Sequence, residues 1–378
     1  MPHTFHSSRR NFLASAASIT ALGAVPAWAQ PGAGGRNPAV VQIADMSVAQ
    51  TDVSKDFLAG SRTAWQEINA KGGLRGKPVQ HQILEVDGSA AALRGAVESL
   101  KSQSHVVALF GTVGAMAATQ VSDILRRDLP DVAHIAPWLH QPESAKGDNT
   151  FAIFASRTSQ IDHAVKSLSV MGVTALGAVY ATPAEFASYR DEMEQTARNL
   201  KMTLSHFGPV GDLQKLGQTL SPDSPRILIF LGGTPEMLQF TQGIGKQAAQ
   251  RYIVGMSDVN LQVLNQLGSN KQASVIATQV VPLVNSQVPI VRSYREALGR
   301  YLDEPPTPQS LAGYLSARYT FDALQGLDAP LTRSSVLAGL QRRSSVDLGG
   351  FRIDLEGKRR CGTYVTQSMI SSDGRLLG

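Results

Sequence analysis

Short apolar runs alternate along the chain with longer stretches whose apolar positions recur every three or four residues. "AVVQIADM" (39–46), "VQHQILEVD" (79–87), "VVALF" (106–110) and "DVAHIAP" (131–137) read as strands. Between them, "DFLAGSRTAWQEINAKGG" sets Phe57, Ser61, Ala64 or Trp65, and Ile68 on one helical face, and Gly72-Gly73 ends it. Leu93, Val97 and Leu100 mark a second helix, and residues 117–127 a third. The rhythm starts again with strand "ALGAVYA" (175–181), helix "PAEFASYRDEMEQTARNLK" and strand "MTLSHF". "RILIFLGG" (226–233) feeds a helix from Pro235 to about Ala249, and "RYIVGMSD" and "ASVIATQVV" add two strands. Helices follow at 291–301 and 310–327, and the tail from Gly349 changes to alternation with Gly turns, a β-hairpin signal.

Regular βα alternation predicts an α/β fold of two doubly wound, open parallel sheets with helices on both faces. Ligands of such sheets sit beyond the carboxyl ends of the strands, at the topological switch point. Residues 111–118, 136–140, 181–186, 232–234 and 255–258 all lie at such ends. Two halves that each offer loops to one cleft have the geometry of a closing receptor.

Composition narrows the choice. The chain has 378 residues, 43% hydrophobic and 17% charged, which favours two domains over disorder. Cys361 is the single cysteine, so an intrachain disulfide and a clustered-Cys metal site are excluded. "SSRRNFLASAASITALGAVPAWAQ" reads as a signal peptide over 1–29: Arg9 and Arg10, an apolar run, and a small-x-small cleavage site after Ala29. "SRRNFL" is similar to the twin-arginine export motif, with Ala14 where that motif often has Lys. Export would place the mature chain in the periplasm. Cleavage removes two arginines and no acid, lowering the net charge from +5 to +3. The remaining charges are interspersed and aromatics make up 6%, so nucleic acid is not an expected partner.

Motifs for chemistry are missing. The chain holds neither a phosphate-binding G-x-x-x-x-G-K-[ST] nor a G-x-G-x-x-G, and "GMSDV" (255–259) lacks the second Gly of a nucleophile elbow. No H-E-x-x-H occurs, and no cofactor or metal is expected. His134 reads as a packed core histidine, and Cys361 as a buried or half-buried thiol. His140, past a strand end beside Trp138, stands between cleft and surface. An enzyme is not expected.

The stretches "FLAGSRTAWQEINAKGGLRGKPVQ", "ALFGTVGAMAATQVSDIL", "IAPWLHQPE", "GYLSARYTFDAL" and "GGFRIDLEGKR" resemble, in order and spacing, the periplasmic leucine/isoleucine/valine-binding proteins of ABC importers. The resemblance covers residues 38–378. It implies a linker at 30–37, one lobe at 38–156 plus 282–345, and a second at 157–281 plus 346–378. It also implies a monomer that clamps a small ligand between its lobes and hands it to a membrane permease. A ligand carboxylate would rest on backbone N–H groups around Gly114, Ala115 and Met116, at the start of a helix. Pro137, Trp138, His140, Phe186, Thr234, Ser257 and Asp258 would line the rest.

The departures bear on specificity. The family usually has Ser or Thr at Ala115 and Thr at His140, and its acidic partner for an α-ammonium falls at Ser257, with Asp258 one along. Branched-chain amino acids are therefore expected to bind poorly. Trp138 and Phe186 suit an aromatic or larger apolar ligand, with the bland alternative that Trp138 only covers the lobe edge. A sensor of the same fold and a secreted hydrolase are the alternative functions.

Overall fold

The computed structural model describes residues 37–378 apart from 142–147, 245–249, 269–272, 329, 355–360 and 371–375. Arg9, Arg10 and the cleavage site after Ala29 lie outside the described residues.

The first sheet is all parallel, in the order β2 (Gln80–Val86), β1 (Ala39–Asp45), β3 (Val106–Phe110), β4 (Ala133–Ile135), β5 (Thr150–Phe151). Every residue of β1 and β3 is buried, as expected of parallel strands with helices on both faces. One core, with Phe57, Trp65, Phe110, Tyr294 and Tyr314, lies on the side of α1 (Thr51–Ala70), α9 (Pro289–Tyr301) and α10 (Pro308–Gln325). A second, around Val41, Leu109, Val121 and Leu125, lies under α2 (Ala90–Ser99) and α3 (Ala115–Asp128). α1 and α10 cross so closely that a methyl on Gly60 would meet the Ser310 carbonyl, and one on Gly313 the Phe57 carbonyl.

The second sheet runs β14 (Leu376–Leu377), β13 (Thr366–Ile370), β10 (Ser274–Gln279), β9 (Tyr252–Gly255), β8 (Ile227–Leu231), β6 (Ala175–Tyr180), β7 (Thr203–Phe207). β6 to β10 are parallel, and β13 and β14 close the edge antiparallel. Its helices are α4 (Arg157–Val170), α5 (Pro183–Asn199), α6 (Leu213–Thr219), α7 (Thr234–Ile244) and α8 (Leu261–Gln266). The two sheets with their helices form two lobes.

The predicted strands and long helices are present, with ends shifted by a few residues. The apolar pattern does not predict α4, α6, α8 or α11 (Arg333–Gln341). Alternation in the tail resolves into two antiparallel pairs. β11 (Ser345–Asp347) and β12 (Arg352–Asp354) form a hairpin, and Gly349 and Gly350 supply positive φ at its turn. Leu348, Phe351 and Ile353 of this hairpin pack in the first lobe's core, beyond the boundary expected at residue 345. β13 and β14 are the second pair. No helix of the described residues is long and apolar enough to cross a membrane.

Candidate ligand-binding cleft

Both sheets change strand order beside their first strand, β1 between β2 and β3, and β6 between β7 and β8. The loops leaving those strands supply the site. On the first lobe, Trp138 N–H donates to the Thr112 carbonyl (2.8 Å) and Ser316 Oγ to the Ala136 carbonyl (3.1 Å). These bonds hold the 111–113 and 136–140 loops together on α10. On the second lobe, Ser257 N–H donates to Gln160 Oε1 (2.9 Å), which also accepts from Thr278 Oγ1 (2.8 Å). Thr234 Oγ1 donates to the Asp258 carbonyl (3.3 Å) and accepts from Asn260 N–H (2.9 Å).

The lobes meet at Asp258. Its Oδ1 accepts from Trp138 Nε1 (3.0 Å) and His140 Nε2 (2.9 Å), both on the first lobe. Its Oδ2 pairs with Arg157 Nη2. Arg157, the first residue of α4 after the N-cap Ser156, is only 1% exposed, and its backbone N–H donates to the His140 carbonyl (2.8 Å). Its guanidinium lies over the Tyr189 ring, 5.6 Å from the centroid, with Nη1 3.7 Å from Glu185 Oε1. Burial, and then the Arg157 charge, hold the His140 imidazole well below its ordinary pKa, against a smaller opposing effect of Glu185. The neutral ring therefore donates from Nε2 to Asp258.

Further bonds cross between the lobes. Asn260 Nδ2 donates to Asp56 Oδ2 (3.0 Å), Gln262 Nε2 to the Pro306 carbonyl (3.2 Å) and Gln309 Nε2 to the Ser257 carbonyl (2.9 Å). Burial raises Asp56 from 3.8 to about 6, with Asp52 and Glu304 adding to the rise and Thr307 and Asn260 opposing it.

Of the residues picked from sequence, Trp138, His140, Thr234, Ser257 and Asp258 come together here, and Pro137 lies buried in the same loop. The Trp138 ring packs edge-on between Phe57 (5.8 Å) and Phe154 (5.1 Å). Phe186 packs instead on Tyr180 (5.1 Å), with Arg190 over its ring. Gly114 is the N-cap of α3 at φ 121°, Ala115 opens the helix, and the Met116 side chain is 61% exposed. The Asp45 carboxylate lies against that turn: a methyl on Gly114 would be 3.1 Å from Asp45 Oδ2.

His134 is fully buried, as read, between Thr112 Oγ1 (2.8 Å) and Ser122 Oγ (3.0 Å), and burial lowers its pKa to about 3. Cys361 is buried. Among the described residues no group of three or more His, Cys, Asp or Glu could hold a metal ion. Arg157, Asp56, Asn260 and Gln309 escaped the sequence reading. Only the Ser156-Arg157 start of an unread helix hinted at the first of them.

A family profile described as periplasmic binding protein matches residues 40–369. The chain belongs to the periplasmic binding protein family. No curated protein sequence matches the chain. Solved structures of similar fold include an extracellular ligand-binding receptor from Verminephrobacter eiseniae, 18% identical (TM-score 0.80; 90% of this chain, 100% of the other). A branched-chain amino acid transporter substrate-binding protein from Streptococcus pneumoniae, in complex with isoleucine, is 16% identical (0.77; 91% and 98%). A fatty acid ABC transporter substrate-binding protein from Thermomonospora curvata is 14% identical (0.76; 89% and 90%). At these identities the likeness concerns the fold. Periplasmic binding proteins of this type are two-lobed, as this chain is.

Proposed function

We propose that this periplasmic binding protein is the exported solute receptor of an ABC importer. It takes a small carboxylate- or amide-containing ligand between its lobes and delivers it, as a monomer, to an inner-membrane permease. The observation that carries this reading is the meeting of strand-end loops from both sheets at Asp258, where Trp138 and His140 of one lobe bond a carboxylate of the other. A site assembled from both lobes is complete only when they are closed, which couples binding to closure. Gly114 to Met116, Pro137, Phe186, Thr234 and Ser257 complete the proposed lining. Of the similar proteins, one was solved with isoleucine and another is a fatty-acid receptor; both of those ligand types carry a carboxylate. Arg9-Arg10 and the apolar run behind them support export by the twin-arginine route.

The test is a thermal-shift screen of acids, amides and amino acids on refolded protein, followed by small-angle scattering with each hit. A ligand at a hundredfold excess over Kd stabilises the folded chain by about 2.7 kcal/mol. The radius of gyration should fall on binding. An unchanged radius at saturation refutes the clamshell mechanism.

A further inference from the structure

We infer that Arg157 selects the ligand's acid group: the solute is an organic carboxylate that meets this guanidinium, and Asp258 serves as its counter-ion and not as the partner of a ligand ammonium. The inference rests on the interlobe-binding reading above and deepens it.

The argument is a balance of donors and acceptors. An arginine carries five N–H donors in a fixed plane. Nη2 of Arg157 pairs with Asp258 and lies 3.2 Å from His140 Nε2. Nε and Nη1 are buried with no hydrogen-bond partner among the described residues. Glu185 Oε1, at 3.7 Å, is beyond hydrogen-bonding distance of Nη1. A side chain 1% exposed, charged, and short of two acceptors beside the residues that join the lobes is suited to receive an anion.

The neighbouring acids point the same way. Asp258 receives three protein donors over its two oxygens, from Trp138, His140 and Arg157. That leaves about one of the carboxylate's four lone-pair sites for a ligand ammonium, beside a guanidinium that repels it. Glu185 is engaged by Thr182, whose Oγ1 donates to Oε2 (2.6 Å), and its other oxygen faces Arg157. The α3 N-terminus already has the Asp45 carboxylate against Gly114, so an entering anion gains less from that helix end than from the guanidinium. At the start of α10, Gln309 Nε2 donates to the Ser257 carbonyl, while Gln309 Oε1 is an orphaned acceptor. It belongs to a neutral amide and suits an uncharged N–H or O–H of the ligand.

Three probes of one shape separate the possibilities: 3-phenylpropanoate, its amide, and L-phenylalanine. They are measured by calorimetry on the full mature chain, beside a thermal-shift panel of straight-chain, branched and aromatic acids with their amides. The acid is expected to bind at least about tenfold more tightly than the amide or the amino acid. Arg157→Gln should lower the acid's affinity at least about tenfold more than the amide's. If Arg157→Gln does not fold, Arg157→Lys keeps the charge beside Asp258 and should still weaken acids more than amides. Equal binding of acid and amide, an unaltered acid affinity in the variant, or tighter binding of phenylalanine each overturns the inference. Tighter phenylalanine would put an ammonium on another acceptor, such as the orphaned Asp52 Oδ2. Should amides or amines alone produce closure, the inference falls and the receptor reading stands. If no compound of any class binds, both fall.

Discussion

Removing the Asp258 carboxylate should destabilise the chain severely, because the charge it balances cannot reach water. The Asp258 side chain is 6% exposed and that of Arg157 1%. In Asp258→Ala the guanidinium keeps only Glu185, 3.7 Å away, as an acid neighbour among the described residues. Breaking a buried ion pair by deleting one partner costs about 3–5 kcal/mol. The indole N–H of Trp138 and the imidazole N–H of His140 lose their acceptor as well, so the upper half of that range is expected. Their loss is not simply additive, since all four groups share one network. Urea titration followed by tryptophan fluorescence and far-ultraviolet circular dichroism measures the change, provided the two probes report one transition. The companion is Arg157→Met, alone and with Asp258→Ala. Removing both charges should recover much of the loss, giving a coupling energy of about 2 kcal/mol or more. A loss below about 1 kcal/mol in Asp258→Ala would refute the buried-pair argument, as would a double variant equal to the sum of the singles.

The pKa of Asp56, raised to about 6 chiefly by burial, sits above the ordinary 3.8, so ionisation of this group opposes folding. Its contribution is intact below pH 4 and is lost as the pH rises through 6, at most about 3 kcal/mol. Asp56→Asn should therefore gain stability over the native chain between pH 4 and pH 7.5, and parallel stability–pH curves would count against this. Gly60→Ala and Gly313→Ala each drive a methyl into a backbone carbonyl at the α1–α10 crossing and should cost at least about 1–3 kcal/mol by urea titration. A neutral result at either would show that the helices separate freely. Leucine, isoleucine and valine should bind poorly by calorimetry, because Asp258 is already taken up by protein donors; submicromolar leucine binding would contradict this.

The layered α/β plan is legible in the pattern of residues, because parallel strands buried on both faces must be written as apolar runs. β1, β3 and β8 are legible for that reason, and so are α1 and α5, with their apolar stripe or N-terminal proline. α4, "RTSQIDHAVKSLSV", was not, because Ser, Thr, His and Asp interrupt its apolar positions and leave little periodicity to detect. Which loops lie at strand ends also followed from the pattern, and the family resemblance singled out Trp138, His140 and Asp258 within them one at a time. Their meeting is a property of the tertiary structure alone. Trp138 and Asp258 are 120 positions apart, on different lobes, and no local propensity encodes such a contact. The turn after β9, held by Gln160 and Thr234, turns the Asp258 carboxylate toward the other lobe. Packing likewise converted Arg157, an unremarked cation in the sequence, into a buried charge with two donors left over, since burial and pairing are decided by what surrounds a side chain in space.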